Sequence, residues 1–263
     1  MILLNKIAII YGAGGAVGST VAETFAREGA KVFLTGRNKA VIDKLADKIN
    51  AGGGFAEAAQ VDALDEKAIE HHLQMVIEKT GAVDISFNAV GLRNTKLQGV
   101  PLVDLELEQF MAPVLSHIQS NFLTARLAGR YMNKKGAGVI MTVTSIPSRV
   151  AIPLMGGVAV AMAAEEALIR NLSAEFGPHG VRVLGLRPQG MYDSDTIKEV
   201  HGLHANAYGI TREQFRGMIE QQNHLKRSPS LQEMAEVAAF MACGHASAMA
   251  GTIVNMSFGA IAD

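Results

Sequence analysis

The chain has 263 residues, 49% of them hydrophobic and 19% charged, with a formal net charge of -1 and a single cysteine. This is the composition of an ordinary globular protein; it offers no basic excess for nucleic acid or an anionic membrane and no pair for an intrachain disulfide. No apolar run reaches the ~18–20 residues that span a bilayer, and the first residues lack the features of a secretion signal, so a soluble cytoplasmic protein without membrane or nucleic-acid partners is expected, with Cys243 a buried thiol.

Lys6 to Tyr11 is an apolar run of strand length, and Gly12-Ala-Gly-Gly-Ala-Val-Gly18 follows it as a glycine-rich turn. The turn opens a helix whose Val17, Val21, Ala22, Phe25 and Ala26 share one face, and Lys31 to Arg37 is a second strand. A glycine turn between strand and helix lets main-chain N–H groups approach a phosphate, and the helix N-terminus adds its dipole. Helix is expected over 40–49 and strand over 55–61, closed by Asp62-Ala63. Helix follows over 66–79 and strand over 83–87, which runs into Asn88-Ala89-Val90-Gly91. A loop spans 92–101. A helix over 105–132 is expected to break at Pro113, then come strand 139–144 and a small-residue helix over 153–176. Strand 181–186 leads to Pro188-Gln-Gly190. The polar stretch 193–226 has helical pieces and no strand; helix 231–243 and strand 252–256 finish the chain.

Strands alternating with helices define an α/β fold, a doubly wound parallel sheet of Rossmann type in three layers. One domain is expected over 1–263, with residues 190–226 as a helical cap. Ligands of such sheets bind at the carboxyl ends of the strands. That edge gathers Gly12, Gly14, Gly15, Ala16, Val17, Gly18, Arg37, Asp62, Ala63, Asn88, Ala89, Val90, Ser145, Pro188 and Gly190.

On these residues the chain resembles the short-chain dehydrogenase/reductase family from Lys6 to Met256. The family's Thr-Gly-x-x-x-Gly-x-Gly reads Tyr11-Gly12-Ala-Gly-Gly-Ala16-Val-Gly18 here, and its Asn-Asn-Ala-Gly reads Asn88-Ala89-Val90-Gly91. Asp62 matches the acid that caps adenine; Leu172-Ser-Ala-Glu175, Gly177-Pro178 and Val181-Arg-Val183 also match. The resemblance implies a bound dinucleotide, a small-molecule substrate and a homo-oligomer, dimer or tetramer, built on the long helices near 105–132 and 153–176. Cofactor choice follows from charge. Gly36 and Arg37 stand at the end of the second strand where an acid would bind the ribose hydroxyls, and a guanidinium suits a 2′-phosphate, so NADP is expected over NAD.

The family reduces carbonyls with a tyrosine donor, a lysine four residues on, a serine and an asparagine. Ser145 matches the serine. Counting from Ser145 and back from Leu172 places the tyrosine and lysine at Val158 and Met162, and the asparagine at His117. Neither valine nor methionine carries a proton. The replacements within reach are His117 and Tyr192, with His201 and His204 in the cap; each has an ordinary packing role as its alternative, as does Ser145. Glu165 and Glu166 are expected to face solvent, as is the His71-His72 pair, and no His, Cys or Asp cluster has metal-ligand spacing. Two readings stand: an NADP-dependent oxidoreductase of a small carbonyl, alcohol or enone with a non-standard proton donor, or a catalytically silent NADP-binding sensor, partner subunit or scaffold.

Overall fold

The structure, a computed structural model, describes residues 1–262. Among the described residues seven strands, β1 (Ile7–Tyr11), β2 (Lys31–Gly36), β3 (Phe55–Gln60), β4 (Ile85–Asn88), β5 (Gly138–Val143), β6 (Val181–Pro188) and β7 (Ile253–Met256), form one sheet in the order β3-β2-β1-β4-β5-β6-β7. Every neighbouring pair is parallel. Eight helices cross between and beyond them: α1 (Ala16–Arg27), α2 (Lys39–Ala51), α3 (Glu66–Thr80), α4 (Leu107–Lys135), α5 (Val158–Phe176), α6 (Asp195–Tyr208), α7 (Arg212–Gln222) and α8 (Leu231–Ala242).

The pleat of β1 explains the three layers. Alternate side chains point to opposite faces of a strand. Ala8 and Ile10 join Val21, Phe25, Ile42 and Met234 in a core beneath α1, α2 and α8. Ile7, Ile9 and Tyr11 join Ile69, Leu123, Leu127 and Ile169 beneath α3, α4 and α5. All five β1 residues are buried, as a strand covered on both faces requires. Strand order reverses between β1 and β4, which opens a crevice at their carboxyl ends.

Three expectations need correction. Pro113 does not break the helix: α4 runs unbroken from Leu107 to Lys135 with Pro113 buried inside it. A proline there costs an isolated helix about 3 kcal/mol, but the start of α5 abuts this turn so tightly that a Cβ on Gly157 would lie 1.9 Å from the Phe110 carbonyl oxygen. Packing outweighs propensity. Second, α5 begins at Val158 rather than Pro153, because Leu154 and Gly156 adopt left-handed backbone angles and turn the chain before the helix starts. Third, His72 is buried on the inner face of α3 beside Ile69, Leu73 and Val76, while its neighbour His71 faces solvent.

A close backbone contact also lies where β1 ends. Gly12 has φ +75°, and a Cβ there would sit 2.6 Å from the Ala89 carbonyl oxygen at the end of β4. Gly12→Ala therefore combines left-handed strain with a forced separation of two strand ends, and is expected to lower unfolding free energy by about 2–3 kcal/mol in urea denaturation. A loss below about 0.5 kcal/mol would show that the two ends move apart freely.

Candidate active site

The crevice is built from backbone first. Ala13 N–H donates to the Thr35 carbonyl at 2.9 Å, tying the turn to β2, and Gly15 N–H donates to the Gly12 carbonyl at 3.1 Å. A Cβ on Gly18 would meet the Gly12 oxygen at 2.4 Å, so α1 and the turn touch without side chains between them. Gly15 caps α1 with no side-chain hydrogen bond, and a Cβ there would meet only the Gly12 oxygen, at 3.5 Å. The first N–H groups of a helix lack internal partners, so Ala16, Val17 and Gly18 present an open, side-chain-free helix end to an anion. This cradle fits the phosphates of a dinucleotide.

Around it the expected residues gather along the same edge. Arg37 is exposed just past β2, its carbonyl accepting from Gln60 Nε2 at 3.1 Å. Asp62 is exposed after β3, its carboxylate accepting from Leu64 N–H at 3.0 Å, and Ala63 beside it is buried. Asn88 is buried and fully engaged, donating to Thr124 Oγ1 at 3.0 Å and accepting from Val90 N–H at 2.9 Å. Its side chain shapes the turn, and Ala89 N–H bonds the Tyr11 carbonyl at 2.9 Å. Pro188 pairs with Met256 at the end of β6, and Gly190 lies against Ile197 and His201 of α6. Tyr11, at the threonine place of the motif, is wholly buried, and burial pushes its hydroxyl pKa up.

The 92–101 loop is tied to α6: Thr95 N–H and Oγ1 both donate to the Glu199 carboxylate at 3.0 and 2.5 Å, and Gln98 Oε1 lies 3.2 Å from His204 Nε2. Phe215 of α7 stacks on His204 and meets His201 edge-on. Tyr192 is 41% exposed, with the Arg216 guanidinium 4.9 Å above its ring.

At the two positions to which the resemblance assigns a tyrosine and a lysine, Val158 and Met162 are buried in an apolar cluster with Met155 and Ala161, against Val114 and Ile152. Polarity appears one turn further along α5. Glu165 and Glu166 do not face solvent; they are 1% and 2% exposed. Glu165 Oε1 accepts from Thr142 Oγ1 at 2.5 Å and from Asn121 Nδ2 at 2.8 Å. Its Oε2 lies 3.7 Å from His117 Nδ1, and the His117 side chain is 13% exposed. Glu166 accepts two hydrogen bonds from Arg187, at 2.6 and 3.1 Å, and others from Ser148 and Thr144.

These neighbouring acids titrate in opposite directions. Burial pushes Glu165 up to about 8, against the hydrogen bonds from Thr142 and Asn121, and the Glu166 charge adds to the rise. Burial acts the same way on Glu166, but the hydrogen bonds and charge of Arg187, with Ser148 and Thr144, hold it below the usual range. Burial lowers His117 to about 4, so near neutral pH Glu165 carries a proton and the imidazole carries no charge.

The arrangement defines a class: a Rossmann-type nucleotide-binding oxidoreductase fold with its ligand edge at the strand carboxyl ends. A family model described as enoyl-(acyl carrier protein) reductase matches residues 12–260. The 7α-hydroxysteroid dehydrogenase of Escherichia coli (strain K12) is 31% identical over 257 residues, 98% of this chain and 94% of the relative. A solved 7α-hydroxysteroid dehydrogenase complexed with NADH and 7-oxo glycochenodeoxycholic acid superposes with a TM-score of 0.86 at 30% identity, covering 99% of this chain and 96% of that one. NAD⁺-bound xylitol dehydrogenase, at 21% identity, shares the fold with a TM-score of 0.91 over 98% of this chain and 100% of that one. The chain belongs to the short-chain dehydrogenase/reductase family.

The sequence set Glu165 toward solvent and did not single out its partners Asn121 and Thr142. The signal was present: Val158, Ala161, Met162, Ile169 and Leu172 recur at helical spacing, and Glu165 falls on that buried stripe. Among the described residues no group of three or more His, Cys, Asp or Glu side chains is placed to hold a metal, and no helix is long and apolar enough to cross a membrane.

The raised Glu165 makes stability depend on pH. An unfolded chain releases this proton near 4.5 while the folded chain keeps it to about 8, so stability falls as pH rises between those values, by at most roughly 5 kcal/mol. His72, His117 and His201, each lowered to about 4 with burial the largest cause, act oppositely: stability falls as pH drops from 6.5 toward 4. Unfolding free energy is therefore expected to peak near pH 6.5. Glu165→Gln should abolish the alkaline fall between pH 6.5 and 8 and steepen the rise between pH 4.5 and 6.5, where Glu165 opposes the histidines, as checked by urea denaturation across pH. An alkaline fall equal in both proteins would assign it to another group.

Proposed function

We propose that the protein is an NADP-linked oxidoreductase of a small carbonyl, alcohol or enone, with His117 supplying the proton that a tyrosine gives elsewhere in the family. The observation that carries this reading is a glycine-rich cradle together with a buried titratable pair, His117 and Glu165, one helical turn from an apolar Met162. A core that only had to pack would have no use for that pair.

In this reading the N–H groups from Gly12 to Gly18, with Gly14 and Gly15 admitting close approach, hold the pyrophosphate. Arg37 takes the 2′-phosphate; Asp62 and Ala63 border the adenine; Asn88, Ala89, Val90, Pro188 and Gly190 border the nicotinamide half. When bound, the reduced cofactor supplies a hydride. Ser145, at the mouth of β5 and joined to Ser148 N–H through its carbonyl at 3.0 Å, donates its hydroxyl to the substrate oxygen. His117 delivers the proton to that oxygen, while α6 and α7 exclude water as the cap of a single domain. Tyr192, with its exposed ring under Arg216, is the lesser donor candidate. Exposed apolar side chains on α4 and α5, among them Leu107, Leu115, Phe122 and Val160, support a homo-oligomer. The net charge and the lack of a bilayer-length helix among the described residues support a cytoplasmic home.

Two measurements test the reading. In calorimetry, Arg37→Ala should weaken NADPH binding about 10- to 100-fold, the worth of one or two charge-assisted hydrogen bonds, and leave NADH unchanged; equal effects on both cofactors would remove the NADP preference. Against a panel of carbonyls and enones, His117→Ala should cut kcat by about 10²-fold or more at unchanged NADPH affinity, and Tyr192→Phe should not. Tight NADPH binding with no turnover on any acceptor would favour a cofactor-binding sensor or partner subunit, consistent with Val158 and Met162.

A further inference from the structure

We propose that Glu165 is the proton reservoir behind His117, a positioning residue that donates through its Oε2 to the imidazole Nδ1 and so makes the opposite nitrogen the donor toward the substrate. This rests on the reading of His117 as the proton donor. It answers a difficulty in that reading, because a neutral imidazole surrenders its only ring proton reluctantly unless another is delivered to its second nitrogen.

The geometry distinguishes the two carboxyl oxygens. Oε1 receives Thr142 O–H and Asn121 N–H. Oε2 is buried with no hydrogen-bond partner, and its charged-group neighbour is His117 Nδ1 at 3.7 Å. A proton on Oε2 leaves Oε1 free to accept both donors and aims an O–H at Nδ1; a proton on Oε1 would waste one of those donors. Asn121 fixes the register, since its amide also donates to the His117 carbonyl at 3.0 Å and so ties the carboxyl to the same helix turn as the imidazole. On the sheet side, Glu165 borders a small, mostly apolar cavity of ≈ 20 Å³ whose polar lining includes Ser86, Asn88, Thr124 and Thr142.

The charges around the pair are few. From α4 the titratable neighbour is His117 itself. On α5 it is Glu166, whose charge Arg187 of β6 balances, and β4 and β5 present only the neutral Ser86, Asn88 and Thr142. In the reductive direction, a hydride from the reduced nicotinamide converts the carbonyl to an alkoxide. The alkoxide takes the Nε2 proton of His117, and the Oε2 proton of Glu165 moves to Nδ1. The products are the alcohol, a neutral imidazole protonated on Nδ1, and a Glu165 carboxylate held by Thr142 and Asn121. Oxidation of an alcohol runs the same transfers backwards.

The test begins without any substrate. In ¹⁵N spectra of the labelled protein, the His117 ring signals, identified by their loss in His117→Gln, should show a step near pH 8 as Glu165 releases its proton. The step should vanish in Glu165→Gln, which keeps the shape and the acceptor oxygen. A wild-type His117 with no step near pH 8, or the same step in Glu165→Gln, overturns the proposal. With an accepted substrate, wild-type kcat for reduction should fall as pH rises through about 8; Glu165→Gln should lower kcat about 10- to 100-fold, flatten that limb and leave the KM for NADPH unchanged. Loss of rate in His117→Ala alongside an unaltered pH limb in Glu165→Gln overturns the role of Glu165 and leaves His117 as donor. Full rate in His117→Ala overturns the donor reading and this one with it.

Discussion

The structure depends on the approach of bare backbone to bare backbone at the junction of β1 and β4. Gly12 lies against the Ala89 carbonyl, and Gly18 lies against the Gly12 carbonyl, so strand end, turn and helix start touch with no side chain among them. Strand order reverses at this same point. The close packing that lets α1 run back over the sheet is therefore the packing that leaves its N–H groups uncovered. Cradle and topology are one constraint, and a side chain at either glycine would disturb both.

Signals confined to neighbouring residues were legible in the sequence. Each of the seven strands is a short apolar run between turn residues, and each appears close to its expected place. The glycine turn acts within a few residues of itself. What escaped was set by distant partners. Pro113 reads as a break until α5 is laid across its helix. His72 and the glutamates of α5 read as solvent groups because charge and polarity outweighed position, although each sits at helical spacing within an apolar stripe.

The two glutamates show how much the partner decides. Glu166 meets a guanidinium, so both stay charged while only 2–3% exposed. Such a pair is retained because either member alone would be a stranded charge. Its further bonds to Thr144 and Ser148 bracket Ser145, tying the segment after β5 to β6 and fixing where that serine stands. Glu165, one residue earlier and turned toward α4, finds only an amide, a hydroxyl and an imidazole. Without a cation to balance it, the proton stays.

That contrast bears on how α5 uses its buried stripe. Had α5 only to fill space, an apolar side chain at 165 would complete the stripe from Val158 to Leu172 and avoid desolvating a carboxyl group. Val158 and Met162 show that the helix accepts such residues at adjoining positions. At 165 it instead keeps a group that is costly to bury, supplies it with donors from two separate elements, and leaves one oxygen 3.7 Å from His117 Nδ1. Position 165 thus keeps a titratable group one helical turn beyond the apolar Met162, its first oxygen supplied with donors and its second facing an imidazole.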